Sequence, residues 1–227
     1  QLSAGETPRG QGRQFQLALL LFVCTFFTCV TAGGVFLLGA RTDIITDLLP
    51  FLLPDTIARV WTDPKLLGWG LAYALPVMAI LLAHELGHYI ACRRYGLPVS
   101  PPYFLPSPFL IGTFGAFIRI RTTLRNKREL FDVGVAGPIA GFLVLVPILV
   151  YGVAHSVPTR IVRLSASSEA MALTLPGNNL LYRGLVLWFH GDLPGDMILN
   201  PHPFVLAAWV GCFATMLNLL PLAQLDG

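Results

Sequence analysis

The chain has 227 residues, of which 55% are hydrophobic and 12% charged, with a formal net charge of +3. A soluble domain carries about 25% charged residues, so this composition excludes a soluble globular protein and indicates an integral membrane protein large enough for a small helix bundle. No basic tract with interleaved aromatics suggests nucleic-acid binding, and Cys24, Cys29, Cys92 and Cys212 form no C-x-x-C pair; they read as small buried hydrophobes, not as a disulfide frame.

Residues 1–14 are polar, with Arg9 and Arg13, and predict a surface tail. From residue 15 to residue 227 the chain reads as one membrane-embedded core. Phe15 to Ala40 carry no charge. The run is longer than the roughly 7–15 residues of a signal-peptide core and predicts a first transmembrane helix over 15–40. Residues 41–65 mix charges with an apolar patch from Leu48 to Leu53 and predict a loop with a short interfacial helix. A second span over 66–92 contains Pro76, where a kink is expected, and is closed by Arg93, Arg94 and Gly96-Leu97-Pro98.

The next stretch, 97–130, holds Pro98, Pro101, Pro102, Pro106 and Pro108, which exclude a long helix. Tyr103 to Ile118 is nonetheless strongly apolar. Glycines 112 and 115 among β-branched and aromatic neighbours predict a bent hairpin or re-entrant strand over 111–121. Backbone of this kind persists at membrane depth only when it is buried in protein or lines a cavity. Gly112, Gly115, Phe117 and Ile118 are therefore candidates for a substrate-binding edge. The alternative is a hairpin lying on the lipid headgroups.

A third span over 131–154 opens with Gly134, Gly137, Ala140 and Gly141, small residues that let another backbone come close. Residues 155–203 predict a loop with an amphipathic segment near Leu180 to Phe189. Its histidines, His155, His190 and His202, are scattered and read as surface or structural. A fourth span over 204–225 carries Asn218 and Pro221 near its end, and Asp226 follows. Neither terminus looks natural, so the chain reads as truncated at its C-terminus. The expected fold is an all-α polytopic bundle of about four transmembrane helices with a re-entrant hairpin.

Lys and Arg concentrate between Arg93 and Arg128 and are sparser in 41–65 and 155–203. The positive-inside rule puts that basic stretch in the cytoplasm. The second and fourth spans then both run inward, and the ends of both lie toward the cytoplasmic side.

The second span contains His84-Glu85-Leu86-Gly87-His88. On a helix, His84 and His88 share one face, and this spacing lets two imidazoles hold one Zn²⁺ with Glu85 beside them as general base. Ionisable groups within a membrane are costly unless paired, metal-bound or facing water. The competing reading is a histidine pair hydrogen-bonded in a bundle core. A catalytic zinc site uses three protein ligands and leaves a fourth position to water. Asp226 fits the third best, because it ends a polar-interrupted span of matching orientation. Glu129 and Asp132 lie on the flank among basic residues and read as solvated.

His84-Glu85-x-x-His88 joined to Asn218-x-x-Pro221-x-x-x-Leu225-Asp226-Gly227 resembles the site-2 protease family of intramembrane zinc metalloproteases. Gly112-x-x-Gly115 is similar to that family's re-entrant hairpin, and Asp132 to Gly141 to its Gly-Pro-rich third core helix. The stretch between the second and third spans is too short for an inserted PDZ domain, so the chain looks most like the compact group. The resemblance implies cleavage of membrane-anchored substrates at their transmembrane helices. It also implies His84, His88 and Asp226 as zinc ligands, Glu85 as base, and Asn218 as a holder of the water or the oxyanion. Other readings are a proteolytically inactive scaffold or helix-binding chaperone of the same fold, a membrane zincin with a downstream Glu ligand, and a metal transporter.

Overall fold

The computed structural model describes residues 8–42, 53–108, 111–122, 126–160, 180–195 and 197–219. Helix α1 (Pro8–Thr42) begins inside the stretch expected to be a tail. Proline at a helix start has a preset φ and lacks only an N–H that would have no partner there, so the polar residues after Pro8 join the apolar run as its first turns. Helix α2 (Pro54–Thr62) is the short helix expected in the first loop. It lies just beyond the apolar patch, most of which falls outside the described residues. Trp61 ties it to α1: its indole N–H donates to the Thr31 hydroxyl at 3.1 Å, and its ring stacks on Phe27.

Helix α3 (Pro64–Arg94) starts where the Asp63 carboxylate accepts the backbone N–H of Lys65 at 2.8 Å, with Pro64 in the first position. Such a cap satisfies one of the four N–H groups left without partners at a helix start. The helix continues through Pro76. Its sides are apolar nearly all round because it is central. Tyr73, Ala74, Val77, Met78 and Leu81 pack in one cluster with Cys29, Val30 and Ala32 of α1, while Ile80 belongs to a second cluster. Glycines set the α1–α3 spacing. A Cβ on Gly70 would stand 2.4 Å from the Val30 carbonyl oxygen, and one on Gly33 2.7 Å from Cβ of Tyr73.

Strands β1 (Tyr103–Pro106) and β2 (Thr113–Phe117) form an antiparallel hairpin, pairing Tyr103 with Phe117, Phe104 with Ala116 and Leu105 with Gly115. The expected hairpin over 111–121 is thus corrected: that stretch supplies the turn's end and one strand, and the partner strand lies upstream among the prolines. Pro106 closes β1, a strand position where the missing N–H is tolerated. The pairing extends outward through Val99 and Ile120.

The tip of the hairpin is inserted between α1 and α3. Gly112 has φ +75, and a Cβ there would lie 2.6 Å from Cα of Cys29, so only glycine fits. The Tyr73 hydroxyl donates to the Ile111 carbonyl at 3.0 Å, and the Thr28 hydroxyl donates to the Gly112 carbonyl at 2.6 Å. Non-helical backbone buried in a membrane needs such partners.

Helix α4 (Lys127–Ala154) runs antiparallel to α3, with Gly137 against His88 and Gly141 against His84. Beyond it, β3 (Val157–Arg160) pairs antiparallel with β4 (Met197–Asn200), a small sheet the sequence reading did not anticipate. Helix α5 (Leu180–His190) is the amphipathic segment expected there. Tyr182, Leu185 and Val186 pack with Leu145, Leu149 and Val153 of α4, and the His190 side chain donates to the Val153 carbonyl at 2.8 Å.

Helix α6 (Pro203–Leu219) is the described part of the fourth expected span; residues 220–225 lie outside the described residues. Gly152 of α4 lies against Val205, and Gly211 lies against Ile80, so α6 runs parallel to α3. Three described helices, within Gly12–Leu38, Pro64–Arg94 and Lys127–Ala154, are long and apolar enough to cross a membrane, and the apolar part of α6, Pro203–Phe213, is shorter. The chain is a multi-pass, all-α membrane bundle with a re-entrant hairpin. Cys29 and Cys92 are buried, but Cys24 and Cys212 lie on the outer surface, contrary to the reading of all four as buried.

Candidate metal centre

Helical spacing places His84 and His88 on one face of α3, and that face is turned to α4. His84 and Glu85 are both buried, at 1% and 3% exposure. The Nε2 atoms of His84 and His88 face each other at 3.1 Å. The Nδ1–H of His88 donates to the Val133 carbonyl at 2.7 Å. A metal-binding imidazole typically gives its other N–H to such an acceptor, which fixes ring and tautomer. Here that tautomer leaves the Nε2 lone pair of His88 turned toward His84.

Two nitrogens at about 2.0–2.1 Å from one tetrahedral zinc stand roughly 3.3 Å apart. The observed spacing is close to that, so the pair fits as two of a zinc ion's ligands. Among the described residues no group of three His, Cys, Asp or Glu side chains could hold a metal. Asp226, expected as the third ligand, lies outside the described residues.

Glycines in α4 make room for the imidazoles. A Cβ on Gly137 would stand 2.1 Å from Nε2 of His88, and one on Gly141 3.3 Å from Nδ1 of His84. On the facing side, a Cβ on Gly87 would stand 2.4 Å from the Ala136 carbonyl oxygen. Gly134, expected in the same packing role, has nothing within 4 Å of a Cβ. Gly137 and Gly141 repeat the four-residue spacing of His84 and His88, the signal by which they could have been paired with the histidines.

The hairpin approaches the same place. The backbone N–H of Ile118 faces the Glu85 carboxylate, and the Ile118 side chain packs beside Ala91, Cys92 and Val133. Arg119 directs both its N–H and its C=O to Ser100. Successive backbone groups of a strand point to opposite edges, so Ile118 faces the other edge, toward α3. Phe117 is 45% exposed and Gly115 has φ +104. Gly112, by contrast, sits at the far end of the hairpin, at the level of Tyr73, and is not brought to the histidines.

Asn218 lies in α6, and its side chain is not among those described. With Gly211 opposite Ile80 on parallel helices of equal rise, its backbone comes to the level between His84 and His88. At the opposite end of the bundle, His155 and His202 flank Tyr151 and Phe204 with ring centroids 6.3 Å apart.

A polytopic helical bundle with two converging imidazoles and a carboxylate buried inside it defines a membrane protein with a candidate metal centre in its interior. The family comparison gives that class its name: residues 72–227 match the model for peptidase family M50, and the chain belongs to this family. It is 31% identical over 261 residues to the probable zinc metalloprotease EGY1, chloroplastic, of Oryza sativa subsp. japonica, covering 99% of this chain and 42% of that protein. It is 33% identical over 181 residues to the probable zinc metalloprotease EGY2, chloroplastic, of Oryza sativa subsp. indica, covering 78% of this chain and 31% of that protein. The Arabidopsis thaliana EGY1 is 30% identical over 233 residues, covering 94% of this chain and 38% of that protein. The chain thus spans less than half the length of these relatives. No solved structure matches it.

Proposed function

We propose that this chain is the catalytic core of an intramembrane zinc metalloprotease that hydrolyses peptide bonds in or near transmembrane helices of membrane-anchored proteins. The facing Nε2 atoms of His84 and His88, with His88 held at Nδ1 by Val133, carry the reading. The naming of the relatives as zinc metalloproteases supports the choice of metal. His84, His88 and Asp226 would hold the ion. When bound, zinc acidifies a coordinated water toward a pKa of about 7 and polarises the scissile carbonyl.

The remaining chemistry belongs to the chain. Glu85 accepts a proton from the attacking water and returns it to the departing amine. Asn218, at the same level on α6, donates to the developing oxyanion, where one placed donor is typically worth about 3 kcal/mol. A helical substrate must unwind before cleavage, since its own hydrogen bonds shield its peptide groups. The edge of β2 near Phe117 and Ile118, adjacent to Glu85, accepts the extended segment as an added strand. The concentration of Lys and Arg between Arg93 and Arg128 supports a site on the cytoplasmic side.

Glu85→Gln tests this reading. The variant should keep its zinc and its fold but lose cleavage of a membrane-anchored helical substrate. Cleavage at a near-native rate by that variant would remove Glu85 as the base.

A further inference from the structure

The orientation of His88 depends on where the first turns of α4 put the Val133 carbonyl. One residue before it, the Asp132 carboxylate accepts a hydrogen bond from the Tyr95 hydroxyl. Tyr95 is the C-cap of α3, so this bond ties the end of the helix that carries the histidines to the turn of α4 that orients one of them. Asp132, expected from its basic neighbours to be solvated, is instead engaged by Tyr95. The tie holds Tyr95 in its protonated, donating form, because the Asp132 acceptor pushes the phenol's titration up.

Resting on the zinc-site reading above, we infer that Tyr95 and Asp132 are positioning residues for His88. They clamp α4 against α3 so that the Val133 carbonyl meets Nδ1–H and the Nε2 lone pair stays turned toward the metal position. The geometry favours this over a bond that merely joins two helix ends. The space between α3 and α4 is already at the steric limit: a Cβ on Gly87 would meet the Ala136 carbonyl oxygen and one on Gly137 would meet His88. Glycine contacts of that kind limit how close the helices come but do not stop α4 sliding or turning along α3. A directional bond at Asp132, next to Val133, does. A group that hydrogen-bonds a ligand directly, as Val133 does, typically changes metal affinity 10–100-fold when removed; Tyr95 and Asp132, acting through Val133, belong at the low end of that range.

The experiment titrates the purified, zinc-loaded protein with a chelator and reads the concentration that removes half of the zinc. Tyr95→Phe and Asp132→Ala should each release zinc at about tenfold lower chelator. Their combination should do no worse than either alone, since both break one bond. Asp132→Asn keeps an acceptor for the Tyr95 hydroxyl and should stay close to wild type. In metal-free protein labelled with ¹⁵N-histidine, the hydrogen-bonded Nδ1–H resonance of His88 should move in Tyr95→Phe, a change that needs no metal and no activity. The inference is overturned if Tyr95→Phe and Asp132→Ala hold zinc at the wild-type chelator concentration and leave that resonance in place while His88→Ala loses the metal. Retention of full zinc by His88→Ala would instead overturn the site itself.

Discussion

Tyr73, in the middle of α3, donates its hydroxyl to the carbonyl of Ile111 at the tip of the hairpin, 3.0 Å away. The bond is buried, with Tyr73 only 1% exposed. It explains how a hairpin can sit at membrane depth: the Ile111 carbonyl at the turn is met by Tyr73, and the Gly112 carbonyl by Thr28 of α1 together with the backbone N–H of Ser107.

Removing the Tyr73 hydroxyl takes the O–H donor from the Ile111 carbonyl, and an acceptor left without its partner costs about 1–3 kcal/mol, whereas without the Thr28 hydroxyl the Gly112 carbonyl keeps the Ser107 N–H. Tyr73→Phe should lower stability by that amount in detergent unfolding, and Thr28→Val by less, with zinc content unchanged at low temperature. Wild-type stability in both would mean that the hairpin tip is not held by these bonds.

Gly137 and Gly134 sit a turn apart in α4 and should behave oppositely. A Cβ at Gly137 would lie 2.1 Å from Nε2 of His88, whereas a Cβ at Gly134 meets nothing within 4 Å. Gly137→Ala should therefore displace His88 and abolish zinc binding, and Gly134→Ala should leave it intact. Elemental analysis of the two variants checks this, and equal zinc in both would contradict the packing described.

Much of this was legible in the chain because hydrophobic length and helical spacing are local signals. The charge-free run from Phe15 and the four-residue step from His84 to His88 each declare their element without reference to the rest. What stayed hidden depends on two distant segments meeting. The pairing of Tyr103 with Phe117 was obscured by prolines that argue only against helix and say nothing about which strand is the partner. The Val133 carbonyl carries no sequence signal at all, since any residue supplies one. Asp132 looked solvated among basic neighbours because Tyr95 reaches it across two helices.

The end of the bundle away from the histidine pair carries a pH-dependent contact. His202 accepts the backbone N–H of Phe204 through Nδ1 at 3.3 Å, at the start of α6, and the His202 backbone N–H donates to the Ser156 hydroxyl at 3.0 Å. Burial, and then the neighbouring His155, hold its pKa below the ordinary value. Unfolded, it titrates near 6.5. Folded, it resists protonation, which would remove the acceptor and put positive charge at a helix N-terminus. Its contribution is therefore complete above about pH 6.5 and declines as pH falls toward the lowered folded value. His202→Asn keeps an acceptor but does not titrate. Its unfolding midpoint should drop less than the wild type's between about pH 7 and pH 5; an identical drop would contradict this role.

Proline in the hairpin tests substrate docking. Phe117→Pro removes an N–H that the strand's alternation turns toward Tyr103 of β1, so it loosens the outer end of the hairpin while Ile118 still faces Glu85. Substrate engagement should weaken while zinc content stays normal. Ile118→Pro should be more damaging, because it removes an N–H on the edge that faces Glu85. If a photoreactive group at Phe117 captures no substrate and Phe117→Pro cleaves normally, the hairpin is structural only.

His84 and His88, whose Nε2 atoms face each other, are proposed to hold one zinc ion inside the bundle. Elemental analysis of the purified protein, beside His84→Ala, His88→Ala and Glu85→Gln, tests it most directly. One zinc per chain is expected in the wild type and in Glu85→Gln, and essentially none in the two histidine variants. Equal zinc in all four proteins would contradict the account.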